Sequence, residues 1–225
     1  MITPLASPPR PRRRARAVAA DAGAGARRVR VVLAAGLGLL LALAAAQAAR
    51  AATWTLDDGA SFLSFASIKA FDIGEVHSFS DLSGGVAEDG TATVRIDLGS
   101  VNTGIDIRNE RMRDMLFNVA QFPVATITAS VPLDNMESLA VGDSAVRDVT
   151  AQFSLVGESN DLAMPVMVTR LGEGRVMVQP LQVLMVQADD YALGEGIRKL
   201  REVAGLEHIS HAVPATFTLF FDRTE

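Results

Sequence analysis

Three histidines, His77, His208 and His211, are the chain's first candidates for acid–base or metal chemistry. His208 and His211 stand three apart, a spacing that lets two imidazoles on one helical turn meet a single metal ion. No third or fourth ligand accompanies them, and a strand beginning at Val213-Pro214 follows at once. A paired surface role or a core hydrogen bond accounts for them. His77 lies in a strand-like stretch with Glu75 and Ser78, and no nucleophile elbow occurs in the chain. Cysteine is absent, which removes disulfides, thiolate metal sites and cysteine nucleophiles together. Asp57-Asp58 and Asp189-Asp190 adjoin turns and read as solvated turn residues or weak cation sites. Gly172-x-Gly174 and Gly194-x-Gly196 lack the strand-to-helix setting of a phosphate-binding loop. Acid, base and nucleophile are nowhere assembled, so neither an enzyme nor a metal site is expected.

The elements around these residues are mostly strands. Residues 94–98, 125–131 and 149–155 alternate apolar with polar side chains, as half-buried strands do. Residues 61–68, 164–169, 175–186 and 216–221 are further strand candidates, some of them apolar on both faces. Turn signals fall at Asp57-Asp58-Gly59, Ser83-Gly84-Gly85, Glu88-Asp89-Gly90, Val141-Gly142-Asp143 and Gly172-Glu173-Gly174. Many strands joined by short turns predict an all-β antiparallel sandwich or barrel, with the barrel favoured. Residues 106–117 and 194–209 break the pattern. Ile105, Met112, Met115 and Leu116 in the first, and Ile197, Leu200, Val203, Ala204 and Leu206 in the second, predict two short amphipathic capping helices.

Residues 1–51 are expected to be a cleaved signal peptide. Eight arginines precede residue 31, an uncharged Leu/Ala-rich run follows over 31–46, and Ala46-Gln47-Ala48 and Ala49-Arg50-Ala51 both offer a small-residue cleavage pattern. A membrane anchor is the alternative, but sixteen residues span roughly 24 Å against a hydrocarbon core of about 30 Å. Nine of the 21 basic residues and one of the 26 acidic residues lie in this leader. The remaining domain, 52–225, has twelve basic against twenty-five acidic residues, a formal net charge of −13. Such a charge excludes nucleic acid as a main partner.

The motif Val94-Arg95-Ile96-Asp97-Leu98-Gly99-Ser100-Val101-Asn102-Thr103-Gly104 closely resembles the signature of the YceI family. It continues through Arg108-Asn109-Glu110-Arg111-Met112-Arg113-Asp114-Met115-Leu116-Phe117 and Gln121-Phe122-Pro123-Val124-Ala125-Thr126-Ile127, similar to that family's arginine-started helix and aromatic-Pro strand entry. Trp54-Thr55-Leu56-Asp57, Ser61 and Phe65 resemble its opening motif, so the likeness covers most of residues 53–222. Arg111 stands where the family often has His. The family's basic turn is replaced by 157–165, and the helix over 194–209 resembles a feature of one branch.

This resemblance implies an extended, lipocalin-like eight-stranded antiparallel barrel in the periplasm. Its tunnel would take a polyisoprenoid, an isoprenoid quinone or another long-chain amphiphile, and no cofactor is expected beside that lipid. The residues expected to line the tunnel are Phe65, Phe79, Met115, Leu116, Phe117, Phe122, Ile127, Phe153, Met167 and Phe217. Arg108 and Arg111 are expected either to hold a phosphate, phenol or quinone head or to pair at the surface with Glu110 or Asp114. Transient docking to a membrane protein and a homodimer are both compatible with the sequence. The competing reading is a non-enzymatic accessory protein of a membrane-bound cytochrome or an envelope stress response, with a filled barrel and no dedicated cargo.

Overall fold

The computed structural model describes residues 52–134 and 138–224, so the expected leader lies outside the described residues. The strands are β1 (Ala52–Leu56), β2 (Phe62–Lys69), β3 (Ile73–Phe79), β4 (Leu82–Ala87), β5 (Thr91–Asp97), β6 (Val101–Asn102), β7 (Val124–Ser130), β8 (Ser144–Leu155), β9 (Glu158–Gly172), β10 (Arg175–Pro180), β11 (Leu184–Gln187) and β12 (Ala212–Arg223). Helix α1 (Asp106–Arg111) runs into a π-helical turn, Met112–Phe117, and α2 spans Gly194–Ala204. Among the described residues no helix is long and apolar enough to cross a membrane.

Period-two patterning closes these strands into a ring. Val94 and Ile96 of β5 are buried while Arg95 and Asp97 face solvent, and the other ring strands repeat the division. The order β1-β4-β5-β7-β8-β9-β10-β12 returns to β1, antiparallel throughout, and makes a closed eight-stranded barrel. β2, β3, β6 and β11 lie beyond this ring and prolong it. β2 pairs with β12 where β1 has left it, and β3 pairs with β2 as β4 pairs with β1. β6 joins β3 as β5 joins β4, while β11 takes the place of β10 beside β12. The twelve segments therefore trace eight long, interrupted strands in an up-and-down meander, which is how the barrel becomes extended.

The interruptions have local causes. The stretch 175–186, expected as one strand, breaks after Pro180; Leu181 there donates its N–H to the Pro165 carbonyl, and β11 resumes at Leu184. Ser83-Gly84-Gly85, expected as a turn, lies inside β4. A side chain on Gly84 would collide with the Thr93 carbonyl of β5, so this glycine permits a close approach of strands. The segment 157–165 is not a loop either. The turn is the pair Val156-Gly157, with φ of 50° and 85°, which joins β8 to β9 by the tight primed geometry that suits strand twist.

At the prolonged end β6 is an edge, and the chain passes from it into α1 and the π turn, against which α2 packs. Gly196 makes that packing possible: a Cβ there would lie 2.7 Å from the Met115 carbonyl oxygen and 2.8 Å from the Leu116 Cα. The Gly194-x-Gly196 motif is thus a close-packing device. α2 stops at Ala204, short of the expected residue 209, because Gly205 turns left-handed; its N–H bonds the Glu202 carbonyl and that of Leu206 the Arg201 carbonyl. His208 and His211 consequently share no helical face. His208 stacks on Phe71 at 5.1 Å, and His211 Nδ1 lies 2.9 Å from Asp189. Asp57, expected as a solvated turn residue, accepts from Arg175 at 2.7 Å, while Arg175 also donates to Asp222. Asp58 accepts from the Leu82 N–H at 2.8 Å.

Candidate functional site

The two halves of the barrel are filled differently. Around the closed ring Trp54, Val86, Val176, Leu219 and Phe221 pack a dense core that leaves a cavity of about 160 Å³. In the prolonged half a cavity of about 400 Å³ opens between β2, β3, the α1–π segment, α2 and the facing strands. That volume falls in the ~300–1,000 Å³ range of small-molecule sites. Ile127 of β7 and Phe217 of β12 line both cavities, so these two side chains form the waist between them.

Strand register gives the large cavity an axis. Lys69, Ser67, Phe65 and Leu63 succeed one another along one wall of β2, and Glu75, His77 and Phe79 along β3, with Ser67 opposite Glu75 and Phe65 opposite His77. Leu63 is level with Phe217 at the waist. Six residues separate Lys69 from Leu63, about 20 Å at strand rise. The environment changes steadily over this depth. Lys69 stands outermost, then Ser67 level with Glu75, then Phe65 level with His77, then Leu63 level with Phe79 and with Phe217 at the waist.

The outer end is a small ion-pair network. Glu75 accepts from Lys69 at 2.9 Å and from Arg108 at 2.6 Å; Arg108 also donates to the Thr103 carbonyl at 2.6 Å. The Lys69 hydrogen bond, with help from the Arg108 charge, holds the Glu75 carboxyl below its ordinary range against an opposing effect of burial. Arg108 therefore reaches across to β3; it does not pair with Glu110 or Asp114, the partners expected for a surface reading. Arg111 also lines the cavity and has no ion pair among the described residues. The lining thus carries three cations against one carboxylate, on a strongly acidic domain.

Level with Glu75 on the neighbouring strand, the Ser67 hydroxyl lies 2.8 Å from Nε2 of His77, which stands one step deeper. His77 is 3% exposed, and its Nδ1 has no hydrogen-bond partner among the described residues. Burial lowers the His77 pKa below its ordinary value. The Arg108 charge adds to that, while Glu75 and a weak backbone contact from Val76 oppose it. The imidazole is therefore neutral at neutral pH. Below it Phe65 meets His77 edge-on at 5.3 Å and stacks on Phe79 at 5.3 Å, and Phe79 approaches Phe117 at 5.9 Å.

Of the expected tunnel residues, Phe65, Phe79, Leu116, Phe117, Ile127, Phe153 and Phe217 line the large cavity, as do Arg108 and Arg111. Met115, Phe122 and Met167 do not. On β9 the inward residues are Met164, Val166 and Val168, each under 7% exposed, which puts Met167 on the outer face. The π turn widens the helix and brings Met112 and Leu116 to the cavity instead of Met115. The Phe122 ring covers Gly157 at the β8–β9 turn, 3.2 Å from where a Cβ would stand. Sequence reasoning missed Leu63, Ser67 and Lys69, which share the parity of Phe65 on β2 and were findable from it. It also missed His77 and Glu75, which share the parity of Phe79 on β3. No potential metal cluster of three or more His, Asp or Glu groups occurs among the described residues.

The match to known proteins is extensive. A polyisoprenoid-binding domain from Saccharophagus degradans, implicated in plant cell wall breakdown, is 44% identical; the likeness covers 77% of this chain and all of that one, with a TM-score of 0.77. BcnA of Burkholderia cenocepacia (22% identity, 73% and 98% coverage, TM-score 0.57) and a Campylobacter jejuni YceI protein (16%, 66% and 85%, 0.50) share the fold. No curated protein matches the chain. The model of the YceI-like domain matches residues 54–221, and with the barrel, the break pattern of its strands and this cavity in view, the chain belongs to the YceI-like family.

Proposed function

We propose that this protein is a periplasmic carrier or reservoir for a polyisoprenoid or similar long-chain amphiphile, such as an isoprenoid quinone. The single observation that carries this reading is the 400 Å³ cavity, apolar along its depth and charged only at its outer end. An apolar tail entering there gains about 0.8 kcal/mol per buried methylene, enough for firm binding without a hydrogen bond. Phe65, Phe79, Leu116, Phe117, Ile127, Phe153 and Phe217 would hold the tail. The head would rest toward the outer end, where Arg108 is engaged by Glu75 and Thr103. The Saccharophagus degradans relative, a polyisoprenoid-binding domain, supports the same ligand class. The basic, then apolar, then small-residue pattern of 1–51 supports export.

Carriage, with no chemical conversion of the lipid, is part of the proposal. The test is native mass spectrometry with organic extraction of the mature protein from its own periplasm. A stoichiometric long-chain isoprenoid is the expected result. A lipid-free mass that added polyprenyl lipids leave unchanged would sink the reading and favour an accessory protein without cargo.

A further inference from the structure

We infer that Ser67 and His77 form a polar notch that receives a neutral oxygen, a quinone carbonyl or a hydroxyl, at the head of the bound lipid. The inference deepens the carrier reading and rests on it. These two side chains interrupt a mostly apolar wall beside the charged end; the other neutral polar residues of the lining are Ser210 and Thr216. Ser210 is tied to the backbone of Ala212 in both directions, so its one O–H is already committed. Ser67 differs: its hydroxyl makes one hydrogen bond, to His77, where a hydroxyl can donate once and accept twice.

The neutral imidazole makes this spare capacity useful in either tautomer. With the proton on Nε2, His77 donates to Ser67 Oγ and the serine O–H is left to donate to a carbonyl. With the proton on Nδ1, the serine O–H donates to Nε2 and its oxygen is left to accept from a hydroxyl. A buried Nδ1 that makes no well-formed hydrogen bond destabilises the fold, as does a polar pair set among phenylalanines. A residue chosen for packing alone would carry neither burden. An ionised head fits this depth poorly. Glu75 already engages Lys69 and Arg108, and the next wall inward is Phe65 and Phe79, which cannot solvate an anion.

The experiment compares four ligands with equal prenyl tails: an alcohol, a quinone, a monophosphate and a headless hydrocarbon. Affinities are measured by competition on the mature protein, on Ser67→Ala and on His77→Phe. The alcohol and the quinone should bind the wild type about three- to tenfold more tightly than the hydrocarbon. Both variants should reduce that advantage to about one. The monophosphate should gain nothing over the alcohol. If His77→Phe fails to fold, Ser67→Ala and ¹⁵N NMR of His77 in the wild type still decide: alcohol should shift the ring nitrogens and hydrocarbon should not. Equal binding of hydrocarbon and alcohol would overturn the notch. So would a preference for phosphate that Arg111→Gln removes and Ser67→Ala does not. If none of the four binds, the carrier reading itself fails and the notch falls with it.

Discussion

Truncating Phe217 to alanine should change which tail lengths the protein accepts. Phe217 lies on β12 level with Leu63, and with Ile127 it forms the waist between cavities of about 400 and 160 Å³. Removing the ring joins them. From Phe217 to Phe221, which lines the far cavity, is four residues of strand, about 13 Å of additional depth. A five-carbon prenyl unit that newly enters this space is worth up to about 4 kcal/mol at ~0.8 kcal/mol per methylene-sized group. Realising even a quarter of that changes affinity about fivefold.

The cost in stability should be moderate. Phe217 is only half-buried, because part of its surface faces the two cavities. Its truncation should therefore cost about 2–3 kcal/mol, at or below the low end of the ~3–5 kcal/mol seen for close-packed phenylalanines. In a domain of this size that corresponds to a Tm drop of roughly 4–12 °C. The assay is competition among prenyl alcohols of increasing length, with circular dichroism to confirm folding. The wild type should show a length beyond which affinity stops rising, and Phe217→Ala should move that plateau outward by at least one unit. A folded, ligand-loaded variant with an unchanged length profile would refute the waist.

Two further predictions follow from side-chain direction and charge. Phe153→Asp places a carboxylate on the cavity wall and should weaken lipid loading at least about a hundredfold, whereas Met167→Asp, on the outer face of β9, should load like the wild type; native mass spectrometry reads both, and the opposite ranking would mean that the inner face of β9 is misassigned. Asp57 is held below the ordinary carboxylate range chiefly by its hydrogen bond from Arg175, so its contribution to stability is present above the unfolded-state pKa and is lost as the pH falls through the lower folded value. Arg175→Met should then lower Tm modestly at pH 7 and converge on the wild type as the pH falls through the folded-state pKa of Asp57; a gap of constant size across the acid range would show that Arg175 acts through packing alone.

How far the site could be read from the sequence depended on whether a strand has one apolar face or two. β5 has one, and Val94 and Ile96 are inward as its alternation requires. β9 reads Met164-Pro165-Val166-Met167-Val168, apolar at every position. Periodicity is then silent about parity, and Met167 was placed inside when Val166 and Val168 are. Met115 misled for a different reason: the spacing of a regular helix does not survive a π turn. The charged end was invisible because its pairs are non-local. Arg108 meets Glu75, 33 residues away, while local helix spacing pointed to Glu110. The barrel itself, the two short helices and the place of the arginines at its end were legible, because each rests on short-range patterning repeated along the chain.

The uneven filling of the barrel is itself an argument for cargo. Without cysteines, stability must come from the core, and that core is concentrated around the closed ring, where Trp54 and Val176 are almost wholly buried. The prolonged half spends aromatic and aliphatic side chains on the lining of a cavity, where they forgo the dispersion contacts that a filled interior would supply. Larger side chains at positions such as Ala215 would fill part of this space, so the hollow is not forced by the strand number. Anything that binds the folded state alone stabilises it as its concentration exceeds Kd. A tail in the cavity would restore the missing contacts of Phe65, Phe79 and Phe117, and an oxygen at Ser67 would complete a polar pair that the apolar wall leaves unfinished. The same residues that make the empty barrel less stable than it could be are the ones a lipid would satisfy, and that coincidence is hard to obtain from a domain whose work is done on its outer surface.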